Sequence, residues 1–329
     1  MLRGLTPALA IAQLLLGTVV LYLGAEWLIR GSAAIARAFG VKPLVIGLTV
    51  VAYGTSAPEL AVSTKTALAH SAPIALGTVI GSCAANISLI LGITALISPI
   101  TIDARIIRRE IPILIGSVIA LPLLLRNGVL SQLEGGLLVG CAILFTIVTL
   151  TISARMEPDS EDEQHTDQSG AFLGGRGRPR TTRGVAALMT GIGILLLVGG
   201  SQLFVAGGRR IAAQVGMSER MLGLTVISIG TSLPELIGSI IAATRGQAAL
   251  AVGSVIGSNL LNVFLVLGVT AYLRPIHLGE RMHVVDLVGL VIITLLGVFM
   301  LRGSRRISRF EGAILVAAYI GFIVACSIL

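Results

Sequence analysis

Charge is scarce in this chain: Asp, Glu, Lys and Arg make up only 12% of its 329 residues, and the mean hydropathy is +0.96. That balance excludes a water-soluble globule and places the chain in a bilayer. Aromatic residues are also few, at 4%, and the basic residues behind the net charge of +8 are dispersed between apolar blocks. A nucleic-acid surface needs clustered basic residues interleaved with stacking rings, so no nucleic-acid partner is expected and the Arg residues read as membrane-orientation signals. The three cysteines, Cys83, Cys141 and Cys326, are far apart in apolar blocks and read as small core residues. The four histidines, His70, His165, His277 and His283, have no metal-ligand spacing and read as loop or interfacial residues. No enzyme site and no bound cofactor are expected.

What the chain does have is apolar blocks of about twenty residues, rich in Leu, Ile, Val, Ala and Gly, where a membrane β-barrel would show strict alternation. The expected fold is an all-α integral membrane protein of ten transmembrane helices. Breaks at Gly, Pro and charge clusters place the spans near 9–37, 42–69, 73–97, 110–126, 132–153, 185–214, 219–244, 249–273, 284–301 and 311–328. The first block has no basic leader or cleavage site and reads as a retained helix. Five spans lie on each side of a polar stretch, 154–184, with six acids between Glu157 and Asp167 followed by Arg176, Arg178, Arg180 and Arg183. The expected organisation is therefore an N-terminal repeat 1–153, a solvent linker 154–184 and a C-terminal repeat 185–329.

The two halves are copies. Gly54-Thr55-Ser56-Ala57-Pro58-Glu59 returns as Gly230-Thr231-Ser232-Leu233-Pro234-Glu235, 176 positions later, and Gly77/Gly253, Gly81/Gly257, Ser82/Ser258 and Asn86/Asn262 keep that offset. Five spans per copy is an odd number, so the second copy enters the membrane from the opposite side and the duplication is an inverted repeat. The side with Arg105, Arg108, Arg109 and Arg155 collects fifteen basic residues, and the side with Arg126, Arg209, Arg210, Arg220 and Arg274 collects eight. The positive-inside rule puts linker 154–184 in the cytoplasm and both termini outside a plasma (inner) membrane.

Each motif suits a cation. Thr55, Ser56 and Glu59 share one helix face, as do Thr231, Ser232 and Glu235. Pro58 and Pro234 withdraw the amides that Gly54 and Gly230 would accept, and loosen the next carbonyls, of Thr55 and Thr231. Freed carbonyls at membrane depth line protein or wet cavities, where they are ready cation ligands. The following span adds Ser82 and Asn86, or Ser258 and Asn262, with Gly77, Gly81, Gly253 and Gly257 permitting close approach to a neighbouring helix. These oxygens suffice for the six to eight that calcium takes, and two carboxylates match a divalent charge. Glu59 and Glu235 have no Lys or Arg four residues away, unlike Glu26, whose i+4 partner Arg30 marks a structural pair. Thr49/Thr225 and Ser63/Ser239 also match, but their hydroxyls can bond their own helices. Glu110, Glu134, Asp286 and Glu311 fall at span ends and read as solvated or helix-start acids.

The paired G-T-S-x-P-E and G-S-x-x-x-N blocks resemble the α-repeats of the calcium/cation antiporter superfamily, in its sodium/calcium exchanger branch. The resemblance covers both repeats, nearly half the chain. It implies a central site built by spans 2, 3, 7 and 8, and exchange of Ca2+ for Na+. Carried over by position, Glu59 and Glu235 would be the main calcium ligands, with the carbonyls of Thr55 and Thr231. Sodium sites would draw on Ser56, Ser232, Ser82, Ser258, Asn86 and the backbone near Ala52 and Ser228. In three places the chain departs from the pattern: Thr78 and Ser254 stand where the family has Asn, and Asn262 stands where many prokaryotic members have Asp.

The reading is a secondary antiporter that exports Ca2+ against Na+ by alternating access, with the lipid bilayer as its surroundings and no obligate protein partner. A Ca2+/H+ or other cation/proton antiporter, in which the two Glu carry protons, is the nearest alternative, followed by a cation channel. An intramembrane hydrolase has no His or Lys to serve as base.

Overall fold

The structure is a computed structural model that describes residues 5–39, 43–101, 104–155, 182–277, 284–303 and 306–328. Nine helices among these residues are long and apolar enough to cross a membrane. They are α1 (Leu5–Phe39), α3 (Ala72–Ile97), α4 (Ala104–Leu124), α5 (Gln132–Arg155), α6 (Arg183–Gln214), α7 (Glu219–Thr244), α8 (Ala248–Leu273), α9 (Val284–Gly303) and α10 (Arg309–Ile328). The remaining expected span, α2 (43–68), breaks at Ser56 as its repeat-mate α7 breaks at Ser232, and the two begin and end at the same repeat positions. The protein is an all-α integral membrane fold of two inverted repeats. Its outer face carries large apolar side chains that water would not tolerate, among them Leu15 at 66% exposure and Phe299 at 76%. The polar stretch expected to act as a linker lies, over 156–181, outside the described residues, as do His165 and His283.

The two copies agree down to their minor elements. Ile100–Thr101 (β1) pairs antiparallel with Arg306–Ile307 (β4), and Val129–Leu130 (β2) pairs with Ile276–His277 (β3), so each ribbon joins one half to the other. Helices α5 and α10 both start with a capping box: Ser131 Oγ and N donate to Glu134 Oε2 at 2.7 and 2.8 Å, and Ser308 repeats this on Glu311 at the same distances. Glu134 and Glu311 are thus helix-start acids, as expected from the sequence.

Helices α2, α3, α7 and α8 form the centre. Glycines bring them to backbone contact: a Cβ on Gly81 would sit 2.8 Å from Ser228 Cβ, and one on Gly257 3.1 Å from Leu48 Cα. Around them the apolar core gathers Leu76, Ile80, Ile87 and Leu91 of α3 with Val252, Ile256, Leu260 and Val263 of α8. Helices α1 and α6 pack chiefly on each other. Small residues at seven-residue spacing, Ala10, Gly17, Gly24 and Gly31 on α1 and Ala186, Gly193, Gly200 and Gly207 on α6, mesh in antiparallel order; a Cβ on Gly24 would lie 3.0 Å from the Gly193 carbonyl.

Two sequence expectations are corrected. Glu110 is neither solvated nor at a helix start but buried inside α4, and Asp286, though in the first turn of α9, is buried rather than solvated. Asp286 receives Arg220 of α7 through Nε and Nη2 at 2.8 and 2.9 Å, and Nη2 also donates to the Cys326 carbonyl at 2.6 Å, tying the start of α7 to α9 and α10. Arg220 therefore serves the interior rather than the loop charge balance. Cys141 faces outward instead of into the core, while Cys83 and Cys326 are buried. Truncating Arg220 to Leu strands the Asp286 charge and should destabilise the fold by about 3–5 kcal/mol. Thermal unfolding in detergent would show this as a lowered Tm, largely restored when Asp286 is also replaced by Leu.

Candidate cation site

The centre of the molecule is set by two interrupted helices that point their breaks at one another. In α2, the helix before Ser56 ends at Thr55, and α2 resumes at Ala57 with Pro58 in its first turn. Ser56 N still donates to Ala52 O at 2.9 Å, and the next bond across the break runs from Leu60 N to Ser56 O at 3.1 Å. Pro58 has no amide to offer the Gly54 carbonyl, and the interruption of the helix at Ser56 loosens the neighbouring Thr55 carbonyl. The other copy matches: Ser232 N donates to Ser228 O at 2.9 Å, Leu236 N to Ser232 O at 3.1 Å, and Gly230 and Thr231 are left in the same state. A helix end rich in free carbonyls presents partial negative charge to the site, while the new helix start behind it steadies a carboxylate in its first turn.

Glu59 and Glu235 occupy those first turns and are both fully buried, at 0% exposure. Glu59 is bonded from Ser232, three residues before Glu235, so the two acids flank the same point, where two negative charges would repel. Ser232 Oγ donates to Glu59 Oε1 at 3.0 Å, and the Thr231 hydroxyl lies beside the same carboxylate, so the second repeat supplies the partners of the first repeat's acid. Glu235 faces the hydroxyls of Thr55 and Ser258. Neither closes a hydrogen bond to it: Thr55 Oγ1 bonds the Val51 carbonyl at 3.0 Å and lies 3.3 Å from Ser258 Oγ. Ser82 Oγ reaches the Ser228 carbonyl at 3.5 Å. The Ala52 and Ser228 carbonyls each accept a helical amide, and each also lies 3.3 Å from a threonine hydroxyl, of Thr55 and Thr231, at long hydrogen-bond distance.

The unsatisfied atoms are the strongest feature of the site. Glu59 Oε2, both oxygens of Glu235, Ser56 Oγ, and both amide atoms of Asn86 and of Asn262 are buried without a hydrogen-bond partner. No Lys or Arg pairs with either glutamate among the described ion pairs, which involve Glu26, Glu110 and Asp286 instead. Buried polar groups are almost always bonded, so a cluster of orphaned oxygens around two unneutralised acids fits a dehydrated cation. The donor set is all oxygen, of carboxylate, amide, hydroxyl and carbonyl type, which suits a hard ion such as Ca2+ or Na+.

The structure also adds residues. Ser63 and Ser239 lie one turn beyond the glutamates, and their buried hydroxyls have no partner. Thr49 and Thr225, weighed equally with them on sequence, bond their own helices at 2.6 and 2.5 Å. Only coordinates separate those two pairs. Asn259, repeat-mate of Cys83, is buried with an orphaned Oδ1; its signal was the unequal position within otherwise matching blocks. Four π-helical stretches, Gly47–Val51, Ala85–Ile90, Gly223–Ile227 and Asn262–Leu267, occupy the four central helices. Such widened turns recur at functional sites and rotate the side chains that follow. No local sequence pattern announced them.

Comparison with known proteins agrees with this geometry. The model of the sodium/calcium exchanger protein family matches residues 9–151 and 185–328. The chain is 32% identical to the inner membrane protein YrbG of Escherichia coli, with 95% of each chain covered. It is 31% identical to the sodium/calcium exchanger MaX1 of Methanosarcina acetivorans, over 94% of this chain and 96% of the relative. A solved structure of the sodium-calcium exchanger NCX_Mj, soaked with Na+ and Sr2+, superposes with a TM-score of 0.77 at 33% identity, covering 97% of this chain and 98% of the other. Two repeats with meeting breaks, a core of orphaned oxygens, and a match across both halves lead to one conclusion: the chain belongs to the sodium/calcium exchanger protein family.

Proposed function

We propose that the protein carries Ca2+ out of the cytoplasm in exchange for Na+ at one central site, alternately open to the two sides of the membrane. The observation that carries this reading is the pair of buried carboxylates with three of their four oxygens unpartnered. Without a cation or proton to neutralise it the pair is unstable in a dry interior, so a carrier that closes only when loaded must swap ions rather than leak them. Glu59 and Glu235 would hold Ca2+ with the Thr55 and Thr231 carbonyls. Ser56, Ser232, Ser82, Ser258, Asn86, Asn262 and the backbone at Ala52 and Ser228 would complete the Ca2+ and Na+ positions. Ser63 and Ser239 extend the same oxygen stripe. Both termini would lie outside and the 154–184 stretch in the cytoplasm, as the distribution of Lys and Arg implies.

Isotopic Ca2+ uptake into proteoliposomes, with sodium and pH gradients imposed separately, tests the coupling. Uptake should follow an outward sodium gradient at fixed pH. Indifference to sodium together with a response to a pH gradient would replace this reading by Ca2+/H+ exchange.

Glu59→Gln and Glu235→Gln should each reduce Ca2+ uptake to that of empty vesicles while the variants still purify as folded membrane protein. Normal uptake by either removes it from the site.

Asn262→Asp adds a third acid and should alter the sodium or pH dependence of exchange more than it alters Tm. Ser63→Ala and Ser239→Ala, each losing one hydroxyl, should raise the Ca2+ concentration for half-maximal uptake by about two- to tenfold.

A further inference from the structure

Among the described residues, one ion pair binds the α1–α6 pair to the central helices, and it has no counterpart in the other half. Glu26 of α1 accepts a hydrogen bond from Arg245 Nη2 at 3.0 Å, at the end of α7, and also pairs with Arg30 on its own helix. Its repeat-mates cannot do this: Gln202 stands for Glu26, Ala69 for Arg245 and Ala206 for Arg30. Among the described residues no ion pair crosses the mirrored contact between α6 and α2. The two contacts lie at opposite ends of the molecule, because the repeats are inverted.

The two helices of the α1–α6 pair are joined to each other more extensively than either is joined to the centre. They interlock through small residues, whereas each meets the centre mainly along smooth apolar contacts such as Leu28 and Ile194 against Gly54, and Phe204 against Gly230. Smooth contacts of this kind allow displacement at little cost, but a partly buried charge pair resists it. Exchanging the roles of the two repeats turns the α1–α7 contact into the α6–α2 contact. A charge pair present in one and missing from the other therefore makes the two end states unequal in energy.

We propose that Glu26 and Arg245 form a one-sided latch that favours the state closed at the Arg245 end, and that this latch, rather than the symmetric site, sets the resting orientation of the carrier. The proposal rests on the exchanger reading for its consequence but not for its test. Arg30 is the internal control: it travels with Glu26 on the same helix and so adds charge balance without joining the moving parts.

Spin labels on Leu23→Cys of α1 and Thr244→Cys of α7, both exposed positions, with the exposed Cys141 replaced by Ser, report the separation of α1 and α7 by pulsed dipolar spectroscopy in ion-free vesicles. Glu26→Gln and Arg245→Gln should each enlarge a second, longer separation by about threefold or more, and the double variant should add nothing further. Arg30→Gln should change it much less. An unaltered distance distribution in Arg245→Gln, or an Arg30→Gln effect equal to it, overturns the latch. In sided Ca2+ flux, Arg245→Gln should lower half-saturation at the Arg245 face and raise it at the other; movement in the same direction at both faces also overturns it. A wild-type protein without Ca2+ flux would defeat the exchanger reading, and the distance measurement would still decide the latch.

Discussion

The complete burial of Glu59 and Glu235, with three of their four oxygens unpartnered, is the constraint around which the centre of the molecule is arranged. Bringing two carboxylates together away from water is expensive, and the surroundings show no attempt to cancel the cost with Arg or Lys. Instead the chain breaks two helices, turns free carbonyls inward and leaves amides and hydroxyls unbonded near the same point. Every one of these choices weakens an empty fold and strengthens one that holds a cation. Elsewhere charge is treated in the ordinary way: Asp286 is bonded bidentately by Arg220, and Glu134 and Glu311 cap helices. The contrast within one chain separates acids that support structure from acids that await a partner.

Much of this was legible in the sequence because duplication doubles the signal. A single G-T-S-x-P-E block in an apolar helix is weak, but its return at a fixed offset, with Gly, Ser and Asn following in register, gave the repeat, its inversion and the central helices. Proline chemistry gave the helix breaks, since a missing amide has only one consequence for the carbonyl a turn earlier. What escaped the sequence depends on tertiary direction. Ser63 and Thr49 look alike on a helix, yet one hydroxyl turns to its own backbone and the other does not. Glu110 and Asp286 sit at the ends of apolar runs, where water is the default; only the packed fold shows them enclosed. The π-helical turns come from packing between breaks and glycines rather than from any residue preference.

The two halves are alike around the central cluster of oxygens and unlike at several of the contacts that surround it. The glutamates and serines of the cluster, and Asn86 with Asn262, are matched pair for pair. Cys83 against Asn259, Leu44 against Arg220 and Ala69 against Arg245 are not. A symmetric site presents similar ligands to cargo arriving from either side, as reversible exchange requires. Asymmetry confined to the supports leaves the ligands intact while fixing which half is anchored and which contact is strapped.

The short ribbons β1–β4 and β2–β3 say something about origin. Each takes one strand from either half, and neither half contains a complete ribbon. If the repeats are separated in thought into two free polypeptides of equal sequence, the two ribbons become one contact formed twice about a two-fold axis, the signature of an isologous homodimer. The seam between the halves therefore has the form of a contact between one subunit inserted upright and a twin inserted upside down.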